Sequence, residues 1–312
     1  MKLRTAVVGV GHLGRFHAQK HKMIDAVELI GVCDLNKEHV DKIAAEMGVP
    51  AFYDVMDLIG KVDAVTVAAS TPAHFKLVDI LLSNKIHVLV EKPIASTSQE
   101  AEKLCLTAEK NGVKFQVGHV ERFNPALQAA RTKIGKPLFM EVHRLAPFKV
   151  RSTEVDVVLD LMIHDLDVIL SMVGSEPVSV SAVGTPVLTK VIDIANARIE
   201  FENGAVANVT ASRVSQKTER KFRLFQNSQY LSIDFQSGEM NLFTKTGEWT
   251  EGNIPIEHES FSLEKGDALL EETRTFITSI RENKPVAVSG RDGLKALQLA
   301  EKIIADAQKR LR

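Results

Sequence analysis

Thr5-Ala6-Val7-Val8-Gly9-Val10-Gly11-His12-Leu13-Gly14 decides the fold. An apolar run stops at a complete G-x-G-x-x-G, and a helical pattern follows from about Leu13 to Met23. Gly9 permits a tight turn, Gly11 lets backbone approach a pyrophosphate, and Gly14 allows close helix–strand packing, with His12 and Leu13 completing the loop. The helix N-terminus offers N–H groups and the positive end of its dipole to phosphates. A glycine loop alone is a weak signal. Asp34 strengthens it, because it ends the next apolar run twenty residues after Gly14, where an acid meets ribose hydroxyls. A carboxylate there repels the extra phosphate of NADP. Leu35 and Asn36, not arginine, follow it, which favours NAD. FAD or a nucleotide sugar would use the same ground.

Working outward, apolar runs recur at Glu28–Cys33, Ala64–Ala69, Ile86–Val90 and Lys114–Val117. Helical patterns separate them at Lys37–Met47, Ala73–Ser83 and Ser98–Asn111. Continuous apolar strands alternating with amphipathic helices predict a parallel sheet covered on both faces. After about Arg122 the pattern changes. A strand at Leu138–Leu145 and one apolar helix at Asp156–Val173 precede alternating strands that continue to about Leu263. Asn203-Gly204 and Ser237-Gly238 mark hairpin turns between such strands. The expected α/β architecture is a dinucleotide-binding domain over 1–122, then a domain over 123–312 with a large, mostly antiparallel open sheet. The last helix is a candidate to pack back on the first domain.

With 312 residues the chain can bury two cores. A net charge of −1 carries no footprint for nucleic acid or an anionic membrane, and no apolar run reaches the length of a membrane span. Cys33 and Cys105 fit neither a zinc site nor a disulfide framework, so buried thiols in a cytoplasmic protein are expected.

Three further features carry chemistry. The strand Val88-Leu89-Val90 ends abruptly at Glu91-Lys92-Pro93, where proline stops regular pairing. A lysine at such a strand end can aim its ammonium into the crevice where open parallel sheets bind ligands. Ser70-Thr71-Pro72 ends another strand at the same sheet edge and is expected to line that crevice. Asp156, Asp160, His164 and Asp167 recur at four, four and three residues and form one polar stripe on a nearly buried helix, with Asp165 elsewhere. Asp160 stands one turn before His164 and can hold its ring for proton transfer. No second histidine accompanies the stripe, and the His17/His21 pair lacks a glutamate at the motif position, so no metal site is expected.

Together these pieces resemble the Gfo/Idh/MocA (glucose-fructose oxidoreductase / inositol dehydrogenase) family over essentially the whole chain. The likeness rests on Gly9 to Gly14, Glu91-Lys92-Pro93, Asp160-x-x-x-His164 and the closing run Pro285 to Gly293. It implies that Glu91 and Lys92 stand at the nicotinamide, that Pro93 is a cis-proline, and that His164 transfers the proton with Asp160 beside it. It also implies a homodimer or homotetramer built through the open sheet. Gly118-His119-Val120-Glu121-Arg122-Phe123-Asn124-Pro125 and the Asp156-to-Asp167 helix resemble the branch that oxidises C3 of UDP-N-acetylglucosamine. That branch feeds an aminotransferase in lipid A (lipopolysaccharide) or surface-glycan synthesis. His119, Arg122, Asn124, Arg144 and Arg151 are the matching candidates for the nucleotide sugar, the arginines through charge-assisted bonds to its diphosphate. Lys149 reads as a solvated cation. The rivals are a dehydrogenase of a free polyol such as inositol and a catalytically silent NAD-binding sensor.

Overall fold

The computed structural model describes residues 2–150, 153–263 and 266–311. The chain divides into two compact units. Residues through Val120 together with Asp267–Leu297 make the first, and Glu121–Gly266 with Gln298 onward the second.

In the first unit the strands are β1 (Leu3–Val8), β2 (Val27–Cys33), β3 (Ala51–Phe52), β4 (Ala64–Val67), β5 (His87–Glu91) and β6 (Phe115–Gly118). They form one parallel sheet in the order β3-β2-β1-β4-β5-β6. The order reverses direction between β1 and β4, and such a switch point opens a crevice at the strands' carboxyl ends. Helices α1 (His12–Lys22), α2 (Lys37–Met47), α3 (Thr71–Ser83) and α4 (Ser98–Asn111) cover the sheet. Their ends follow local chemistry. Asn36 caps α2 by accepting the His39 N–H, and Gly48 closes it at φ +64°. Thr97 and Gly112 do the same for α4. The two-residue β3 is too short to leave a periodic signal and escapes the sequence reading.

The second unit begins with α5 (Pro125–Arg131), unforeseen in the sequence, which Asn124 caps through the Ala126 N–H. Then follow β7 (Phe139–Leu145), α6 (Ile163–Val173), β8 (Pro177–Thr185), β9 (Ile194–Phe201), β10 (Val206–Ser212), β11 (Glu219–Gln226), β12 (Gln229–Asp234), β13 (Glu239–Lys245) and β14 (Ile256–Ser262). The eight strands run in the order β14-β13-β12-β11-β7-β10-β9-β8. Every pairing is antiparallel except that of β7 with β10. Alternation is strict along β7. Met140, Val142, Phe222 and Leu224 face a core shared with Met162, Leu166 and Ile169. Gly204 at φ +84° and Gly238 at φ +80° make the hairpin turns that Asn203-Gly204 and Ser237-Gly238 predict.

The chain returns to the first unit through α7 (Ala268–Arg281) and the start of α8 (Gly290–Lys309), whose remainder belongs to the second. This differs from a single boundary near residue 122. Phe276 and Ile277 of α7 join Val27, Ala64 and Leu89 in one core, and Lys20 pairs with Asp267 at 2.7 Å. Before α8 the Val288 carbonyl accepts the Val117 N–H, so the closing run lies along β6. Among the described residues no helix is long and apolar enough to cross a membrane.

Candidate active site

The glycine loop has the geometry its sequence requires. Gly9 sits at φ +81°, and a Cβ there would meet Ala69 N at 2.4 Å. A Cβ on Gly14 would lie 1.9 Å from the Gly9 carbonyl oxygen, so the helix could not approach the strand. Around Gly11, by contrast, a Cβ would touch nothing within 4 Å. No side chain caps the start of α1, and no acid stands in its first turn. These N–H groups remain available to phosphate oxygens.

Beside this loop lies a cavity of about 590 Å³, lined among others by Gly9, Gly11, Asp34, Ser70 and Pro72. Those five are candidates from the sequence. Tyr53, Met56 and Lys76 also line it and were missed, since they follow no motif. Asp34 accepts N–H groups from Val10 at 2.9 Å and Asn36 at 3.0 Å. Thr71 starts α3 after Ser70, and Pro72 stands in its first turn. His12 and Leu13 are exposed at the head of α1, with His12 set edge-on to Phe16. A phosphate-ready helix start, an open glycine and a cavity reaching an acid at the end of β2 together fit a dinucleotide.

The end of β5 is held by buried groups. The Lys92–Pro93 peptide is cis. Glu91 is buried. Its Oε1 pairs with His17 Nε2 at 2.8 Å, while Oε2 accepts the Lys92 N–H at 3.2 Å. Burial opposes the charge on Glu91, but His17 and Lys92 outweigh it and hold its carboxyl below the usual carboxylate range. The Glu91 carboxylate thus holds the backbone of Lys92 at the strand end. Glu272 of α7 joins this cluster, with one ligand-type atom from each of His17, Glu91 and Glu272 within 4.8 Å of the others. His21 bonds Thr66 Oγ1 at 2.8 Å, and burial pushes its pKa down to about 3. The i, i+4 pair on α1 thus faces the interior. His119 follows β6 and is also buried.

In the second unit the polar helix differs from expectation. Val158–Met162 forms a π turn, and α6 starts at Ile163. Asp160 lies on the wide turn and His164 in the first turn of α6, both half-buried. The other acids are occupied elsewhere. Asp156 accepts the Ile192 N–H at 2.8 Å. Asp167 takes two bonds of 2.7 Å from Arg122. Asp165 takes two of 2.8 Å from Arg144, which also reaches Glu121 at 2.9 Å.

This revises the arginine assignment. Arg122 and Arg144 were expected on a diphosphate, yet both are buried and bonded in pairs to carboxylates of their own unit. Burial opposes the Arg144 charge, but Asp165 and Glu121 overrule it and raise its pKa. Strand alternation explains the inward direction, since Arg144 shares the face of Met140 and Val142. Asn124 serves as a helix cap. Lys149 is exposed, as expected of a solvated cation. Arg151 lies outside the described residues.

Comparison with known proteins agrees with this architecture. The family description "Oxidoreductase family, NAD-binding Rossmann fold" of GFO_IDH_MocA matches residues 3–119, and the GFO/IDH/MocA C-terminal domain matches 129–231. UDP-N-acetylglucosamine 3-dehydrogenase of Acidithiobacillus ferrooxidans is 40% identical over 96% of this chain and 95% of its own. Its solved structure superposes with a TM-score of 0.94, at 38% identity and full coverage of both chains. Myo-inositol 2-dehydrogenase of Thermotoga maritima is 28% identical over 95% of this chain and 94% of its own. With its glycine loop, strand-end Lys92 and paired α/β units, the chain belongs to the Gfo/Idh/MocA family of NAD-dependent oxidoreductases.

Proposed function

We propose that this enzyme oxidises a sugar hydroxyl to a ketone, at C3 of UDP-N-acetylglucosamine. The observation that carries this reading is the 40% identity over almost the whole of both chains to a UDP-N-acetylglucosamine 3-dehydrogenase, against 28% to an inositol dehydrogenase. The first unit's glycine loop, Asp34 and the Ser70–Pro72 turn hold NAD, which supplies the hydride acceptor when bound. His164 takes the hydroxyl proton, with Asp160 as its neighbour. Lys92 stabilises the developing alkoxide with its ammonium. The C3–H electron pair leaves as hydride, so one hydroxyl becomes one ketone with one NADH and one proton. An aminotransferase is the reaction class that consumes a 3-keto sugar, which gives the product a place in lipid A (lipopolysaccharide) or surface-glycan synthesis.

The test follows NADH absorbance with purified enzyme, NAD and a panel of UDP-sugars and free polyols. Turnover of UDP-N-acetylglucosamine with a 3-keto product supports the reading. Turnover of inositol without any nucleotide sugar would move the assignment to a polyol. Tight NAD binding with no turnover would restore the sensor reading. Lys92→Ala is expected to abolish turnover while NAD still binds.

We also propose a cytoplasmic homo-oligomer assembled through the outer face of the eight-stranded sheet. Phe139, Phe225, Tyr230, Phe243 and His258 stack across that face with successive centroid spacings of 5.6, 4.8, 5.5 and 4.2 Å. Half-exposed stacked aromatics suit a subunit contact. Cys33 and Cys105 are free and buried, and burial pushes both thiols up to about 12, as suits a reducing compartment.

A further inference from the structure

His74 lies on the first turns of α3 and is buried to 1% exposure. Its Nδ1 stands 2.9 Å from the Pro93 carbonyl oxygen and its Nε2 2.9 Å from that of Ala69. The two carbonyls belong to the loops that leave the adjacent parallel strands β5 and β4. Pro93 directly follows Lys92. Ala69 borders the dinucleotide cavity and packs where a Cβ on Gly9 would go. One ring therefore spans the segment carrying Lys92 and the segment set against the glycine turn.

Both neighbours of that ring are acceptors; a neutral imidazole carries one N–H and donates to one of them, while donation to both needs the imidazolium, which burial disfavours here. Nothing in the helix itself requires an imidazole here, since α3 forms its own backbone bonds. On the far side of Lys92, the Glu91 carboxylate already holds the Lys92 N–H, with His17 behind it. Pro93 has no N–H, so its carbonyl is the point at which the backbone after the lysine can be held. A displacement of about 1 Å at a reacting group can cost a hundredfold in rate.

We propose that His74 is a positioning residue for the dehydrogenase reaction, which fixes the backbone after Lys92 against the loop that borders the cofactor cavity. This rests on the reading of Lys92 as the group that stabilises the alkoxide. The N–H donated to the Pro93 carbonyl is the one that governs turnover, and the other ring nitrogen lies against the Ala69 carbonyl.

The side chains of asparagine and glutamine separate the two contacts. An Asn Nδ2 falls near the place of His Nδ1, and a Gln Nε2 near that of His Nε2. His74→Phe, His74→Asn, His74→Gln and Lys92→Ala would be compared in kcat, KM, melting temperature and NAD titration of the cofactor-free enzyme. His74→Phe is expected to lower kcat at least tenfold, with KM values and the NAD dissociation constant within threefold of wild type. His74→Asn should recover most of the lost kcat, and His74→Gln should not. A wild-type kcat in His74→Phe would overturn the proposal. So would equal loss in all three His74 variants, or loss confined to melting temperature and NAD affinity. Full turnover by Lys92→Ala would overturn the Lys92 reading itself, a result that no His74 variant produces.

Discussion

The Asp34 carboxylate accepts the backbone N–H of Val10 at 2.9 Å, so the acid that ends β2 also holds the glycine loop at the end of β1. Removing it should act twice. Asp34→Ala takes away a charged acceptor worth about 1.5–3 kcal/mol, which corresponds to roughly tenfold to a hundredfold weaker NAD binding. It also removes the charge that repels a 2′-phosphate, so NADP should lose far less affinity than NAD. Titration of the variant with both cofactors checks this. An unchanged NAD to NADP preference would rule out the acid as the discriminating group.

His164→Ala is expected to lower kcat by about 10²–10⁴, the range for loss of a general base. It should also flatten the acidic limb of the pH–rate profile while NAD binding persists. Retention of that limb would assign the titrating base elsewhere.

Arg144→Met leaves Asp165 and Glu121 buried without their shared cation. Breaking such a buried pair from one side costs about 3–5 kcal/mol. The expected result is a large drop in the urea midpoint followed by circular dichroism. A loss under about 1 kcal/mol would mean that one carboxylate takes up a proton at little cost, contrary to a firmly charged network.

Asp193 supplies a pH test. Its buried carboxylate accepts N–H groups from Val187, Leu188 and Thr189 at 2.7–2.8 Å, plus the Thr189 hydroxyl at 2.8 Å. Burial would raise its pKa, but these bonds overrule it and bring the pKa below the ordinary value. A lowered folded pKa means stability that is complete above the unfolded value and lost as pH falls through the folded one. Wild type should therefore exceed Asp193→Asn in melting temperature at neutral pH, and the gap should close from about pH 4 downward. A gap that widens in acid would contradict the sign.

Tyr230→Lys places a charge in the middle of the aromatic stack on the outer sheet face. Light scattering should show a shift toward the monomer mass. An unchanged assembly would exclude this face as the subunit contact.

Legibility in the sequence followed the range of each signal. Helix α2 was readable to the residue, because the apolar spacing from Lys37 to Met47 and the Gly48 and Pro50 that follow it are local signals. The π turn at Val158–Met162 was not, since the same residues suit an α-helix. His74 carried no motif of its own. Its role emerges only where Ala69 and Pro93, in the loops after two separate strands, are brought to its two nitrogens.

The sequence by itself determined the dinucleotide loop, the parallel and antiparallel sheets and Lys92 at a strand end. Glycine conformation and apolar period act over a few neighbouring residues. Only the tertiary structure decided what the buried charges do. Arg122 meets Asp167 across 45 positions, Arg144 meets Asp165 across 21, and His17 meets Glu91 across 74. A buried charge must find its partner wherever the fold supplies one, and that partner has no fixed spacing along the chain.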